Sequence, residues 1–224
     1  IPVRAADDLT AWSLAENGTI SAVGGAWDAD RQTYTFDVVS GVTAIARFPF
    51  TDVPAGSWYY GAAAYAYNNG LFAGTTATTF EPTGSVTRAQ FVTFLAGLAG
   101  VNVSAYQYGP FSDVPADAWY APYVNWAAAN RIVSGTSATT FDPNATISRQ
   151  DMAVMLYNYA QRYDVTLNEQ TVTPFTDESA IADYALPAVQ ALHSAGVISG
   201  MPDGSFQPQA TTTREQACVV LCAL

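Results

Sequence analysis

The chain has 224 residues, half of them hydrophobic, with 19 acidic side chains, eight arginines and no lysine, for a formal net charge of −11. That hydrophobic content supports a packed core and argues against disorder. The acidic balance argues against nucleic acid and anionic membrane surfaces as partners, and no apolar run approaches the roughly 18 to 20 residues of a membrane span.

The opening "IPVRAADD" has no basic stretch followed by an apolar one, so no secretory leader is expected in it, and the chain reads as a fragment of a longer protein. Residues 1–47 are expected to be the β-rich remnant of a preceding domain. "TAWSLAENGTISAVGG" and "RQTYTFDVVSGVTAIARF" alternate apolar and polar residues around Asn17-Gly18 and Ser40-Gly41, which are hairpin signals. A lone hairpin is marginal in water, so this element should pack on the rest of the chain or on another chain.

From residue 48 the chain repeats three times, with expected boundaries at 48–108, 109–172 and 173–224. Phe50, Phe111 and Phe175 open the copies, and Arg88, Arg149 and Arg214 occupy one equivalent position, 61 and 65 residues apart. The opening phenylalanines lie 61 and 64 residues apart, and one extra residue in the third copy, near Ala185-Leu186, accounts for the mismatch between 64 and 65. Each copy reads as helix, loop, helix. The first helix follows an Asp-Val-Pro turn, carries small apolar residues such as Ala63, Tyr67 and Leu71 at helical spacing, and is expected to stop at Gly74, Gly135 or Gly200. Phe80-Glu81-Pro82, Phe141-Asp142-Pro143 and Phe206-Gln207-Pro208 then bar helix continuation, each phenylalanine plugging its loop into the core. The second helix begins at Thr87, Ser148 or Thr213. "TRAQ" and "TREQ" fit the capping box, in which the Ser/Thr and the residue three further on satisfy each other's backbone amides; "SRQD" nearly fits, with Asp151 a shorter substitute. No copy of about 50 residues buries its apolar faces well alone, whereas three can share one core.

The residues that could carry chemistry are few. Cys218 and Cys222 share a helical face without disulfide geometry, and read as small core residues or, less simply, as a metal pair. His193 is the single histidine and reads as a surface or boundary residue. No Ser-His-Asp, Cys-His or zinc spacing occurs, so no enzyme and no cofactor are expected here; any catalysis would belong to a missing N-terminal region.

Three tandem copies of F-[ST]-D-V-P…W-Y…G…F-x-P…[ST]-R-x-[QED] resemble S-layer homology domains, the wall-anchoring modules of bacterial surface proteins. The resemblance covers residues 48–224. It implies a mainly α fold: three helix-loop-helix repeats in a pseudo-three-fold spindle around a central three-helix bundle, here preceded by the short β element. It also implies an extracellular, monomeric module of a larger surface protein that binds anionic, pyruvylated secondary cell-wall polysaccharide in grooves between copies. The alternative is a structural subunit whose repeats mediate self-assembly of a surface lattice. Arg88, Arg149 and Arg214 match the key arginine of the family's Thr-Arg-Ala-Glu motif, and Gly74-Thr75 and Gly135-Thr136 match a ligand-side turn. Trp58 and Trp119 match an aromatic position. The third copy departs, with Asp183 at the tryptophan position and Gly200-Met201 at the turn, so unequal grooves are expected.

A cation at a helix N-terminus opposes the helix dipole by about 0.3 to 1 kcal/mol, and an anionic sugar substituent would offset that term. The unpaired amides of a helix start, together with a guanidinium fork, suit a carboxylate or phosphate. Trp58 and Trp119 could stack on pyranose faces or pack in the core. Each arginine could instead bind Asp52, Asp113 or Asp177 and lock a turn, although those aspartates read first as turn caps.

Overall fold

A computed structural model describes residues 9–14, 20–22, 26–28, 33–35, 42–168 and 170–224. Among these, five strands precede six α-helices, so the chain is mainly helical with a short β element in front. The strands are β1 (Leu9–Leu14), β2 (Ile20–Ala22), β3 (Ala26–Asp28), β4 (Thr33–Thr35) and β5 (Val42–Arg47). The helices are α1 (Tyr60–Asn68), α2 (Arg88–Leu98), α3 (Ala121–Ala129), α4 (Arg149–Arg162), α5 (Leu186–Ser194) and α6 (Arg214–Cys222).

The turns at Asn17-Gly18 and Ser40-Gly41 lie outside the described residues. Strands β1 and β2 pair antiparallel across the first. The strands on either side of the second do not pair with each other among the described residues: β4 pairs with β3, and β5 pairs along the whole of β1, giving the order β2-β1-β5. Alternation identifies a strand and its faces but not its partner, and β1 matches β5 residue for residue from Leu9↔Arg47 to Leu14↔Val42.

Residues 1–83 and 84–224 form two compact units, divided inside the first copy. In the first unit α1 lies against β2 and β5, and Phe48, Phe50, Tyr60 and Phe80 are buried. The Phe48 ring meets Tyr60 at 5.0 Å between centroids, and Phe50 meets Phe80 at 5.4 Å. In the second unit α2 packs on α3, α4 and α6, and α4 packs on α5. Phe91, Leu95, Met152, Leu156, Leu192 and Leu221 are buried between them.

The first helix of each copy ends earlier than expected. Helices α1, α3 and α5 stop at Asn68, Ala129 and Ser194, followed by left-handed residues at Gly70, Arg131 and Gly196 with φ of 71°, 59° and 73°. The backbone amides of Leu71, Ile132 and Val197 donate back to the carbonyls of Ala66, Ala127 and Leu192, and those of Gly70, Arg131 and Gly196 to Tyr67, Ala128 and His193. This double closure is the Schellman motif. Arg131 takes a conformation that costs an L-residue roughly 1–2 kcal/mol, where the other two copies have glycine. Gly74 and Gly135 serve close approach instead: a Cβ on Gly74 would meet Thr76 O at 2.4 Å, and one on Gly135 would meet Ser137 O and Thr140 O at 2.3 Å.

The Phe-x-Pro loops are pinned from a distance. The Asp113 carboxylate accepts from the backbone amides of Phe141 (2.8 Å) and Asp142 (2.7 Å). Asp52 does the same for Phe80 and Glu81, and Asp177 for Phe206 and Gln207. Glu81, Asp142 and Gln207 all sit at φ 56–57°, a left-handed bend that their amide bonds to the carboxylate hold in place.

The starts of α2, α4 and α6 are joined in a ring. The Val86 amide donates to Thr212 O (3.0 Å), the Thr212 amide to Ile147 O (2.9 Å), and the Ile147 amide to Val86 O (2.9 Å). All three side chains have zero exposure, and the Thr212 hydroxyl has no hydrogen-bond partner. An unsatisfied buried hydroxyl costs about 1–3 kcal/mol. Thr212→Val keeps the shape and the backbone ring, so it should raise stability by about 1–2 kcal/mol. The check is the urea midpoint at unchanged m-value; an unchanged midpoint would mean that the hydroxyl is satisfied.

Candidate functional site

The N-caps form as the sequence predicts. Thr87 with Gln90 and Thr213 with Gln216 complete reciprocal capping boxes. Ser148 accepts from the Asp151 amide at 3.1 Å, but the shorter Asp151 side chain turns elsewhere and leaves that box half made. Most other amides of the helix starts are also engaged, contrary to the open anion site expected from sequence. Arg88 N–H donates to Ala145 O and Ala89 N–H to Pro143 O. Arg149 N–H donates to Ala210 O, and Arg214 N–H to Gly84 O.

The arginine side chains turn onto the neighbouring copy. Arg88 Nε donates to Phe141 O at 2.8 Å and Nη2 to Ser134 O at 3.4 Å, with the guanidinium carbon 4.8 Å from the Phe141 ring centre. Arg149 repeats this on Phe206 O (2.7 Å), Ser199 O (3.1 Å) and the Phe206 ring (4.9 Å). Arg88, Arg149 and Arg214 are all buried. The turn lock is therefore real for Arg88 and Arg149, but its acceptors are carbonyls, because Asp113 and Asp177 are occupied by the amides of the same loops. Burial pulls both guanidinium groups below their usual pKa. Asp151, Asp142, Tyr184 and Asp113 oppose this at Arg88, and Asp177 at Arg149.

Beside Arg88 lies a cavity of about 580 Å³, lined by Arg88, Ile132, Ser134, Gly135, Thr136, Asp151, Val154, Met155 and Tyr184, within the usual range for ligand sites. Three copies meet here: the first supplies Arg88, the second the Gly135-Thr136 turn and the face of α4, and the third Tyr184. Asp151 Oδ2 stands 3.7 Å from Arg88 Nη1. Tyr184 OH donates to Asp151 Oδ1 at 2.8 Å and accepts from Gln150 Nε2 at 2.9 Å. Burial and the Asp151 hydrogen bond push the Tyr184 phenol above its usual pKa. Thr136 Oγ1 donates to Asp142 Oδ2 at 2.6 Å. The result is a pocket with one charged fork, one carboxylate, three hydroxyls and an apolar wall of Ile132, Val154 and Met155.

Of the residues singled out in sequence, Arg88, Gly135 and Thr136 come together here. Trp119 is 60% exposed, stands edge-on to Tyr120 at 5.4 Å, and does not line this cavity. Trp58, Gly74 and Thr75 belong to the first unit, where Trp58 is 65% exposed. Tyr184 and Asp151 were missed as site residues. Aligning copies on their helix starts puts Tyr184, not Asp183, at the position of Trp58 and Trp119, since each directly precedes an N-cap: Tyr59, Tyr120 and Ala185. The extra residue of the third copy therefore falls before Tyr184. The shared second-position prolines Pro122 and Pro187 were the signal that could have shown it.

Cys218 is buried and Cys222 half-buried, and neither forms a disulfide. Burial pushes Cys218 well up and Cys222 to about 12, which keeps both as thiols at neutral pH and unsuited to nucleophilic or ligand roles. The His193 ring stacks on Phe175 at 4.0 Å.

Residues 49–92, 110–153 and 174–218 match the S-layer homology domain. An endoglucanase of Bacillus sp. (strain KSM-635) is 37% identical over 180 residues, which cover 79% of this chain and 19% of that protein. The surface-layer 125 kDa protein of Lysinibacillus sphaericus is 33% identical over 60% of this chain and 11% of its own length. The S-layer protein of Bacillus thuringiensis subsp. finitimus is 28% identical over 83% and 22%. The chain thus spans less than a quarter of the length of these relatives. The class defined is a module of the bacterial cell surface, serving surface anchoring or surface-layer association. This chain belongs to the S-layer homology domain family, in three tandem copies.

Arg149 ties two copies through one buried and one half-buried bond, so Arg149→Ala should cost about 2–4 kcal/mol, since charged hydrogen bonds are lost and the buried Phe206 carbonyl is orphaned. Arg149→Lys, which lacks the fork, should recover less than half of that. Denaturant unfolding measures both, and a loss under about 0.5 kcal/mol for the alanine variant would exclude the tie, since that is the range of a neutral surface substitution.

Proposed function

We propose that this chain anchors its parent protein to the wall by binding secondary cell-wall polysaccharide with an anionic, pyruvate-type substituent, and that the cavity beside Arg88 is a binding groove. The observation that supports this most is the convergence of Arg88, Gly135-Thr136 and Tyr184, drawn from three copies, around one cavity. A carboxylate on the sugar would take the Arg88 Nη donors that face the cavity and draw Arg88 away from Asp151, exchanging one charged pair for another. The ring carbons would lie against Met155, Val154 and the Tyr184 face, where an aromatic with a polar edge suits a sugar. Arg149 and Arg214 stand at positions equivalent to Arg88 and are proposed as further ligand-binding residues, as are Trp58, Trp119, Gly74 and Thr75.

We also propose that α2, α4 and α6 stand about a pseudo-three-fold axis through the ring of Val86, Ile147 and Thr212, as the spindle requires.

Sedimentation with purified sacculi, intact or acid-stripped of their polysaccharide, tests the reading. Binding should be lost on stripping, and equal binding to both would contradict it. Tyr184 is 61% exposed, so Tyr184→Ala should weaken polymer binding about tenfold, the worth of one good aromatic contact, and shift stability by less than about 1 kcal/mol. Unchanged polymer affinity in that variant would remove Tyr184 from the site.

A further inference from the structure

Two arginines remain outside the helix starts and the first 47 residues: Arg131 and Arg162. In a chain of net charge −11 without lysine they occupy one place. Arg162 Nε donates to Asn130 Oδ1 at 3.0 Å, next to Arg131, and its guanidinium carbon lies 5.7 Å from the Tyr163 ring centre. Tyr163 in turn stacks on Tyr159 at 4.8 Å. Asn158 Nδ2 donates to Ile132 O at 3.2 Å, tying the turn that carries Arg131 to α4. Both arginines are exposed, and among the described residues neither has a carboxylate within ion-pair distance.

Two further observations separate this patch from ordinary solvated charge. Arg131 stands in the left-handed turn at φ 59°, where the equivalent turns have Gly70 and Gly196; the backbone favours glycine there, yet a cation is present. The patch also continues the cavity along α4. Asp151 and Met155 line the cavity, and Asn158 and Arg162 follow them on the same helical face at spacings of three and four residues. Arg162 lies ~16 Å along the helix from Asp151, a separation on the scale of a short stretch of polysaccharide rather than of one sugar.

Resting on the proposed groove, we infer that Arg131 and Arg162 form a second anion subsite, which holds a charged substituent on a neighbouring repeating unit of the same polysaccharide. Asn130 and Tyr163 fix the Arg162 fork, so little side-chain order is lost when the anion arrives. The patch extends the groove and adds affinity for polymer over its single unit.

The test is equilibrium binding of the whole chain to anionic wall polysaccharide released from sacculi, and to its single repeating unit prepared by hydrolysis. The variants are Arg131→Gly, Arg162→Gln and the pair together. The double variant should bind polymer about tenfold more weakly, as two exposed charge contacts predict, and the single unit within twofold of the parent. Arg131→Gly alone should melt no lower than the parent chain, which separates the loss of binding from loss of fold. A double variant that holds the polymer as tightly as the parent, or loses polymer and single unit equally, overturns the subsite. A parent chain that binds neither overturns the groove reading itself, and the subsite with it.

Discussion

Everything in the second unit depends on three backbone hydrogen bonds. Val86, Thr212 and Ile147 each donate to the next and accept from the last, so the starts of α2, α4 and α6 close on one another. A ring of this kind cannot be completed by one copy or by two. It also decides what happens to the amides that a helix start normally leaves open. Those of Arg88, Arg149 and Arg214 reach carbonyls just outside the ring and are not open to a ligand.

That constraint explains the arginine at a position the helix dipole disfavours. With the backbone engaged in the ring, the side chains of Arg88 and Arg149 turn onto the Phe-x-Pro loop of the next copy. There the Phe141 and Phe206 carbonyls supply negative partial charge and the same rings supply a π face. Each of these two loops is held from both sides: its amides by an aspartate of its own copy, its carbonyl by an arginine of the preceding one. The guanidinium that would recognise an anion is therefore already positioned by structure, and only part of its donor set faces the cavity. Asp151 beside Arg88 leaves the cavity nearly balanced in charge, so the proposed recognition would rest on exchange of partners more than on a net field.

Much of this was legible in the chain. The triplication, the capping residues at Thr87, Ser148 and Thr213, the Phe-x-Pro loops and the arginine positions follow from local chemistry repeated at matched spacing. The features that were not legible required distance or choice. Asp52 and Phe80, like Asp113 and Phe141, lie 28 residues apart, so the pins look like local turn caps until the loop folds back. The ends of α1, α3 and α5 were misplaced because two glycine roles overlap: Gly70 and Gly196 close helices, while Gly74 and Gly135 admit a close approach, and Arg131 conceals the pattern in the second copy. Tyr184 escaped notice because the pair Asp183-Tyr184 imitates Trp119-Tyr120 one residue out of register. The pairing of β5 with β1 was beyond a pattern that marks faces without naming partners.

The ring of Val86, Ile147 and Thr212 supports all the rest, and native-state hydrogen exchange reads it directly. The three amides should exchange at one common rate, the slowest in the second unit, because opening any one bond requires separating the copies. Exchange of one of the three through a local opening, while the other two stay protected, would contradict it.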